Sequence, residues 1–300
     1  MNRMLRIFQD RILRYLLGIF IIITLANILS ACSALSVINT LTPRSTYSGT
    51  MDVAYGAHSR QQLDIFRPNS ASHPAPPTGY PVVVFFYGGS WNFGKRIDYR
   101  FIGEALAARG ILTIVADYRL YPEVRYPDFL DDCAQAVAWV HHNLSSLGAD
   151  PKKLYLMGHS AGAYNVAMLS LDERWLVKQG LSPAIIRGWV GLSGPYDFLP
   201  IKNELVKPVF FHPNYPLDSQ PIDYVSRAAP RAFLGVSVKD DLINPQRNTK
   251  QIAEKLQALE VEVVLKEYPR SNHITIIAAF FRMLRLIGPV LDDVVFFVKE

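Results

Sequence analysis

The chain has 300 residues, half of them hydrophobic and 19% charged, which are the proportions of a globular protein able to bury a sizeable core. Its net charge of +5 is concentrated at the start, where Arg3, Arg6, Arg11 and Arg14 against Asp10 leave +3 in the first fourteen residues. The remaining +2 forms no basic stripe, which argues against nucleic acid as a partner; only Cys32 and Cys133 are present, and no metal-ligand spacing or phosphate-cradling glycine loop occurs, so no cofactor is expected.

The basic start leads into an apolar run over residues 15–26, about the length of a secretory h-region and short for a membrane span. Leu29-Ser30-Ala31-Cys32 follows and resembles a bacterial lipobox, in which the cysteine is lipidated and becomes the first residue of the mature protein. This makes residues 1–31 a signal peptide of the lipoprotein type and Cys32 the lipidation site. The expected location is the periplasmic or cell-surface side of a membrane, anchored by the lipid or, if Cys32 is incidental, by the apolar run. Residues 32–50, rich in Ser and Thr, read as a linker, and 51–300 as the folded domain.

Within the domain, 51–55 and 61–67 read as two short strands around a 56–60 turn, a hairpin at a sheet edge. The proline-rich stretch 68–80 is a surface loop. Residues 81–86 form a continuous apolar run, as in a parallel strand covered on both faces, and end in Tyr87-Gly88-Gly89-Ser90-Trp91. Then come a helix over 98–109, a strand over 111–116, and a helix over 128–147 that buries Cys133 as a small hydrophobe. A strand through Met157 enters Gly158-His159-Ser160-Ala161-Gly162, and a helix over 161–171 leaves it. Strand 186–192, strand 231–238, helix 245–259, strand 261–268 and helix 275–286 complete a mostly parallel sheet with helices on both faces. One segment interrupts the rhythm. Residues 197–229 hold five prolines and five of the large aromatic residues, too long for a plain connection, and read as a small cap over the strand ends.

Gly-x-Ser-x-Gly between a strand and a helix is a nucleophile elbow, which lifts the Ser160 hydroxyl into open space. A serine hydroxyl needs a base, and that base needs a carboxylate to orient it, expected in the chain order Ser, Asp or Glu, His. Of seven histidines, His58, His73, His141 and His142 precede the elbow, His159 lies inside it and His212 falls in the cap. Only His273, after the last strand, has both order and loop position. Asp240 and Asp241 follow the 231–238 strand, and either can supply the carboxylate. Gly88 and Gly89 offer backbone N–H groups to an oxyanion, and Ala161 offers another.

Tyr87-Gly88-Gly89-Ser90-Trp91, Asp117-Tyr118-Arg119-Leu120, Tyr126-Pro127, the serine elbow, the Asp240 region and His273 together resemble the α/β-hydrolase carboxylesterases. The nearest branches are the hormone-sensitive-lipase-like and feruloyl-esterase-like groups, which include the prenylcysteine methylesterases. The resemblance covers residue 51 to about 290. It implies Ser160 as nucleophile, Asp240, the first of the pair, as acid, His273 as base, and Gly89, Ser90 and Ala161 at the oxyanion positions. It also implies an α/β-hydrolase fold and a structural Asp117–Leu120 stretch, with Arg119 ion-paired near the floor of the site. The chain departs from the lipase-type loop at Tyr87, where that motif has histidine. The expected function is hydrolysis of short-chain or aryl carboxylic esters through an acyl-enzyme, with a small-molecule ester as partner. Amide or peptide hydrolysis by the same triad, or a catalytically silent exported binding protein, are the alternatives.

Overall fold

In the computed structural model, residues 34–300 are described; the signal peptide expected over residues 1–31 and the expected lipidation site Cys32 lie outside the described residues. The chain divides into two units, 1–41 and 42–300. Helix α1 (Ala34–Leu41) is the described part of the first. The expected 32–50 linker therefore contains a helix, and the first strand starts four residues earlier than predicted, at Tyr47.

The second unit is built on one eight-stranded sheet. Its strands are β1 (Tyr47–Ala54), β2 (Gln62–Pro68), β3 (Tyr80–Phe86), β4 (Leu112–Ala116), β5 (Ala149–His159), β6 (Gly188–Leu192), β7 (Arg231–Ser237) and β8 (Val263–Tyr268). They lie in the order β1-β2-β4-β3-β5-β6-β7-β8, with β1 and β2 antiparallel to their neighbours and every pair from β4 to β8 parallel. This is an α/β-hydrolase architecture, as expected. Strands β3, β4, β6 and β7 are buried along their whole length, which is why they read as largely apolar runs, interrupted only at Thr113 in β4 and bounded by Arg231 and Ser237 in β7. The crossover helices are α2 (Arg100–Ala107), α3 (Asp128–His142), α4 (Ala161–Leu171) and α5 (Gln251–Ala258), the last preceded by a wide turn over Gln246–Lys250. Because the central strands are parallel, Tyr87, Ser160, Ser193, Asp240 and the 269–273 loop all leave one rim of the sheet.

Three local expectations change. Helix α3 ends at His142, and a separate turn, Leu144–Leu147, follows Asn143. The helix expected over 275–286 is one α turn, Thr275–Ala278; Phe281 is extended (φ −68°, ψ 131°), and a 3-10 turn, Arg282–Ile287, comes after it. Residues 276–281 are all buried, so no polar face remains for a longer helix to show to water. Beyond them lies α6 (Val290–Lys299), which the chain-order reading omits. It buries Val290, Leu291, Val294, Phe297 and Val298, a helical spacing, and sets the Phe297 ring against Tyr155 and Phe233.

Candidate active site

Ser160 is the single residue between β5 and α4, with φ 54° and ψ −122°. A non-glycine residue holds that conformation at a cost on the order of 1–3 kcal/mol and only where its surroundings enforce it. Here the Ser160 N–H donates to the Leu192 carbonyl at 2.9 Å, and its own carbonyl accepts from Ala163 and Tyr164. The turn also needs its two glycines. A Cβ on Gly158 would stand 2.2 Å from the Gly162 carbonyl oxygen, and one on Gly162 would stand 2.0 Å from that of Phe86.

The structure brings Ser160, His273 and Asp240 together. Ser160 Oγ lies 2.9 Å from His273 Nε2, and His273 Nδ1 lies 2.8 and 3.0 Å from the two oxygens of Asp240. A carboxylate only accepts, so Nδ1–H donates to Asp240 and Nε2 is left to accept from the Ser160 hydroxyl. Burial pushes the Asp240 carboxyl up, but hydrogen bonding and charge from His273 and the Ile243 N–H outweigh it and hold the group below the usual carboxylate range. Its side chain is fully buried, and Oδ1 also accepts from the N–H groups of Leu242 and Ile243 at 3.1 and 2.9 Å. The buried Ser193 hydroxyl stands beside it without the alignment of a full hydrogen bond. Asp241 is exposed, and the turn into the 246–258 helix is capped by Asn244, whose Oδ1 accepts from Arg247 N–H at 2.9 Å.

His159, the middle letter of the elbow, has a task that sequence reading did not assign. Its Nε2–H donates to the His273 carbonyl at 2.7 Å, fixing the backbone that carries the His273 ring. Burial, and then the nearby His273, lower its pKa to about 3, so the ring stays neutral. The 271–275 loop is braced further by the Ser237 hydroxyl donating to the Ser271 carbonyl and by Asn272 Oδ1 accepting from Ile274 and Thr275.

After β3 the chain turns sharply. Gly89, Ser90 and Trp91 have φ of 123°, 54° and 58°, and the N–H groups of Asn92 and Phe93 both donate to the Gly89 carbonyl. Ser90, Ser160, Ala161 and His273 line one cavity of about 260 Å³; Gly89 lies outside that lining, in the turn that presents Ser90. Ala161 opens α4, where the amide has no preceding helical carbonyl to bond and the positive end of the helix dipole adds to it. Trp91, Phe198, Ile201 and Val206 supply the apolar part of the wall, and Arg247, Asn203, Asn244 and Lys202 a polar part.

The 197–229 insertion forms much of that wall. Phe210 packs edge-on to Trp91 at 5.0 Å and stacks on Tyr126 at 5.5 Å, and Phe198 meets Tyr164 at 5.7 Å. Asn248 Oδ1 accepts from the Tyr196 and Asp197 N–H groups, and Gln220 Oε1 from that of Phe198. The clue to Asn248 is its spacing: it occupies the buried stripe with Ile252 and Leu256, where an apolar residue would otherwise sit. Arg119 pairs with buried Asp132 of α3 at 2.7 Å, which makes it a strut between the segment after β4 and the helix rather than part of the cavity lining. Among the described residues, no group of three or more His, Cys, Asp or Glu side chains is placed to hold a metal ion.

Comparison with known proteins adds a family. The BD-FAE family model matches residues 63–256. A probable isoprenylcysteine alpha-carbonyl methylesterase of Arabidopsis thaliana is 30% identical over 244 residues, covering 74% of this chain and 56% of the relative. Esterase LipC of Mycobacterium tuberculosis is 29% identical over 240 residues, covering 74% and 58%. The chain thus spans little more than half the length of these curated relatives. Among solved structures, a truncated carbohydrate esterase from gut microbiota superposes with a TM-score of 0.71 at 17% identity, covering 86% of this chain and 97% of that one, a likeness of fold.

Proposed function

The chain belongs to the BD-FAE family of the α/β-hydrolase fold, and from that premise we propose that it is a serine carboxylesterase. The observation that supports this most is the continuous hydrogen-bonded line from the Ser160 hydroxyl through His273 to buried Asp240, opening on a cavity. His273 takes the serine proton as Oγ attacks the ester carbonyl, and Asp240 stabilises the resulting imidazolium. The Ala161 amide and the loop around Ser90 receive the negative charge on the carbonyl oxygen. The imidazolium then protonates the departing alcohol, and water, activated by the same histidine, releases the acid. A cavity near 260 Å³ is at or below the small end of ligand sites, which commonly run from about 300 to 1,000 Å³. It suits short-chain or aryl carboxylic esters, the substrate class expected from the sequence.

Ser160→Ala tests the reading. The variant should stay folded, lose turnover of chromogenic short-chain and aryl esters by 10³-fold or more, on the order seen for serine triads, and lose labelling by a fluorophosphonate. Equal ester hydrolysis by the folded variant would refute the mechanism, and a wild type that neither turns over esters nor takes the label would favour the silent binding protein.

A further inference from the structure

Tyr87 stands where the lipase-type loop has histidine, and it takes no part in the cavity lining. It is fully buried behind the cavity, its ring stacked on Tyr99 at 5.3 Å and Tyr118 at 4.9 Å. Its hydroxyl donates to Asp117 Oδ1 at 2.7 Å and accepts from Arg60 Nη2 at 2.8 Å. Burial and the neighbouring carboxylate push the Tyr87 pKa well up, so the hydroxyl keeps its proton. Its backbone carbonyl is held as well, by the Tyr118 hydroxyl at 2.8 Å.

Arg60 comes from the turn between β1 and β2, at the antiparallel edge of the sheet. Besides Tyr87, its Nη2 donates to the Gly94 carbonyl at 2.7 Å and its Nε to the Tyr118 carbonyl at 3.0 Å. One guanidinium therefore fastens both ends of the 87–94 loop. Gly94 itself lies so close to the Tyr87 ring that a Cβ would stand 2.7 Å from it. Asp117, the other anchor, is fixed by Arg96 through its backbone N–H at 2.7 Å and Nη1 at 2.6 Å. Between the clamped ends, Ser90 and Trp91 both hold positive φ, a pair of strained residues that persists only under external constraint.

We infer that Arg60, through the Tyr87 hydroxyl and the Gly94 carbonyl, is a positioning residue that aims the loop's backbone amides at the oxyanion of the tetrahedral intermediate. Donors fixed in advance act on charge that exists only beyond the ground state, so loosening them lowers kcat and leaves KM nearly unchanged. The inference rests on the esterase reading of Ser160.

The test compares wild type, Tyr87→Phe and Arg60→Ala on one aryl ester, together with inhibition by an alkyl trifluoromethyl ketone, which adds to a serine as a hemiketal bearing an oxyanion. Both variants should lose roughly ten- to a hundredfold in kcat, less than deletion of a donor itself, with KM steady and the ketone's Ki raised by the same factor. Ethylguanidinium in solution should restore part of kcat to Arg60→Ala, whose site is partly open to water, and nothing to Ser160→Ala. Loss of melting temperature with kcat and Ki unchanged would overturn the inference, as would a change in KM alone. Should Arg60→Ala not fold, the isosteric Tyr87→Phe decides; failure of that variant to fold would assign the cluster to stability and also overturn it. A wild type inert to both ester and fluorophosphonate would instead bring down the esterase reading beneath it.

Discussion

Adjacent carboxylates at 240 and 241 occupy opposite surroundings: the first is sealed against His273, the second faces solvent. Asp240→Asn should keep the fold yet reduce kcat about 10⁴-fold, because an amide favours the wrong imidazole tautomer and cannot stabilise imidazolium. Asp241→Asn should remain near wild type in both activity and melting temperature, as surface changes do. Purified variants assayed on one ester decide it, and the reverse outcome would move the acid by one residue. His159 leads to a pH prediction. Its folded pKa is about 3 against an unfolded value near 6.5, so as pH falls from about 6.5 the unfolded chain takes up a proton that the folded one refuses. Stability should be full above that pH and fall below it with a slope approaching about 1.4 kcal/mol per unit. Asp240, with its lowered pKa, adds its own loss only below the unfolded carboxylate value, near pH 4. Melting curves from pH 7 to 4 should therefore be flatter for His159→Gln, with His141, also lowered by burial, leaving a residual slope in both. Identical slopes would refute this. Ser160 and His273 were legible because motif and chain order constrain them. The ring of His159 was not, because the variable letter of an elbow does not say which carbonyl 114 residues away it will meet.

At the scale of elements, the central strands β3, β4, β6 and β7 were readable because burial on both faces writes them as near-continuous apolar runs, and β3 and β7 begin and end within a residue of expectation. Helix limits near the end of the chain were not. The 276–281 run is buried for packing reasons that carry no period, and α6 was passed over although Val290, Leu291, Val294, Phe297 and Val298 fall on one face. That omission is energetically large. Burying five such side chains is worth roughly 8–15 kcal/mol at about 1.5–3 kcal/mol each, comparable to the whole net stability of a typical domain, about 5–15 kcal/mol. The helix is also pinned by the Tyr268 hydroxyl donating to Asp293 at 2.8 Å and by the Arg231 guanidinium over Phe297. A chain truncated after Gly288 should lack a cooperative melting transition and esterase activity, although it keeps every member of the Ser160, His273 and Asp240 line. A cooperative, active truncation product would show that α6 is dispensable. The Arg60 clamp was likewise hidden, since its partners at 87, 94 and 118 lie on segments that only the completed sheet brings together.

For the whole molecule, export remains a proposal carried by the basic and apolar start and by Leu29–Cys32. Among the described residues no helix is long and apolar enough to cross a membrane, and the segment in question precedes them. In bacterial cells fed an alkyne fatty acid, the wild type should take the label and Cys32→Ser should not; equal labelling would contradict lipidation at that cysteine. The sheet's topology bears on what such a tether would do. Since β2 is antiparallel to β4 and β1 antiparallel to β2, β1 runs the same way as the central strands, and Tyr47 enters at the rim opposite the one that carries Ser160 and His273. The domain thus has a handle and a mouth at opposite poles. A fusion partner or solid support joined just ahead of Tyr47 meets the pole away from Ser160 and His273, leaving the cavity facing the open medium.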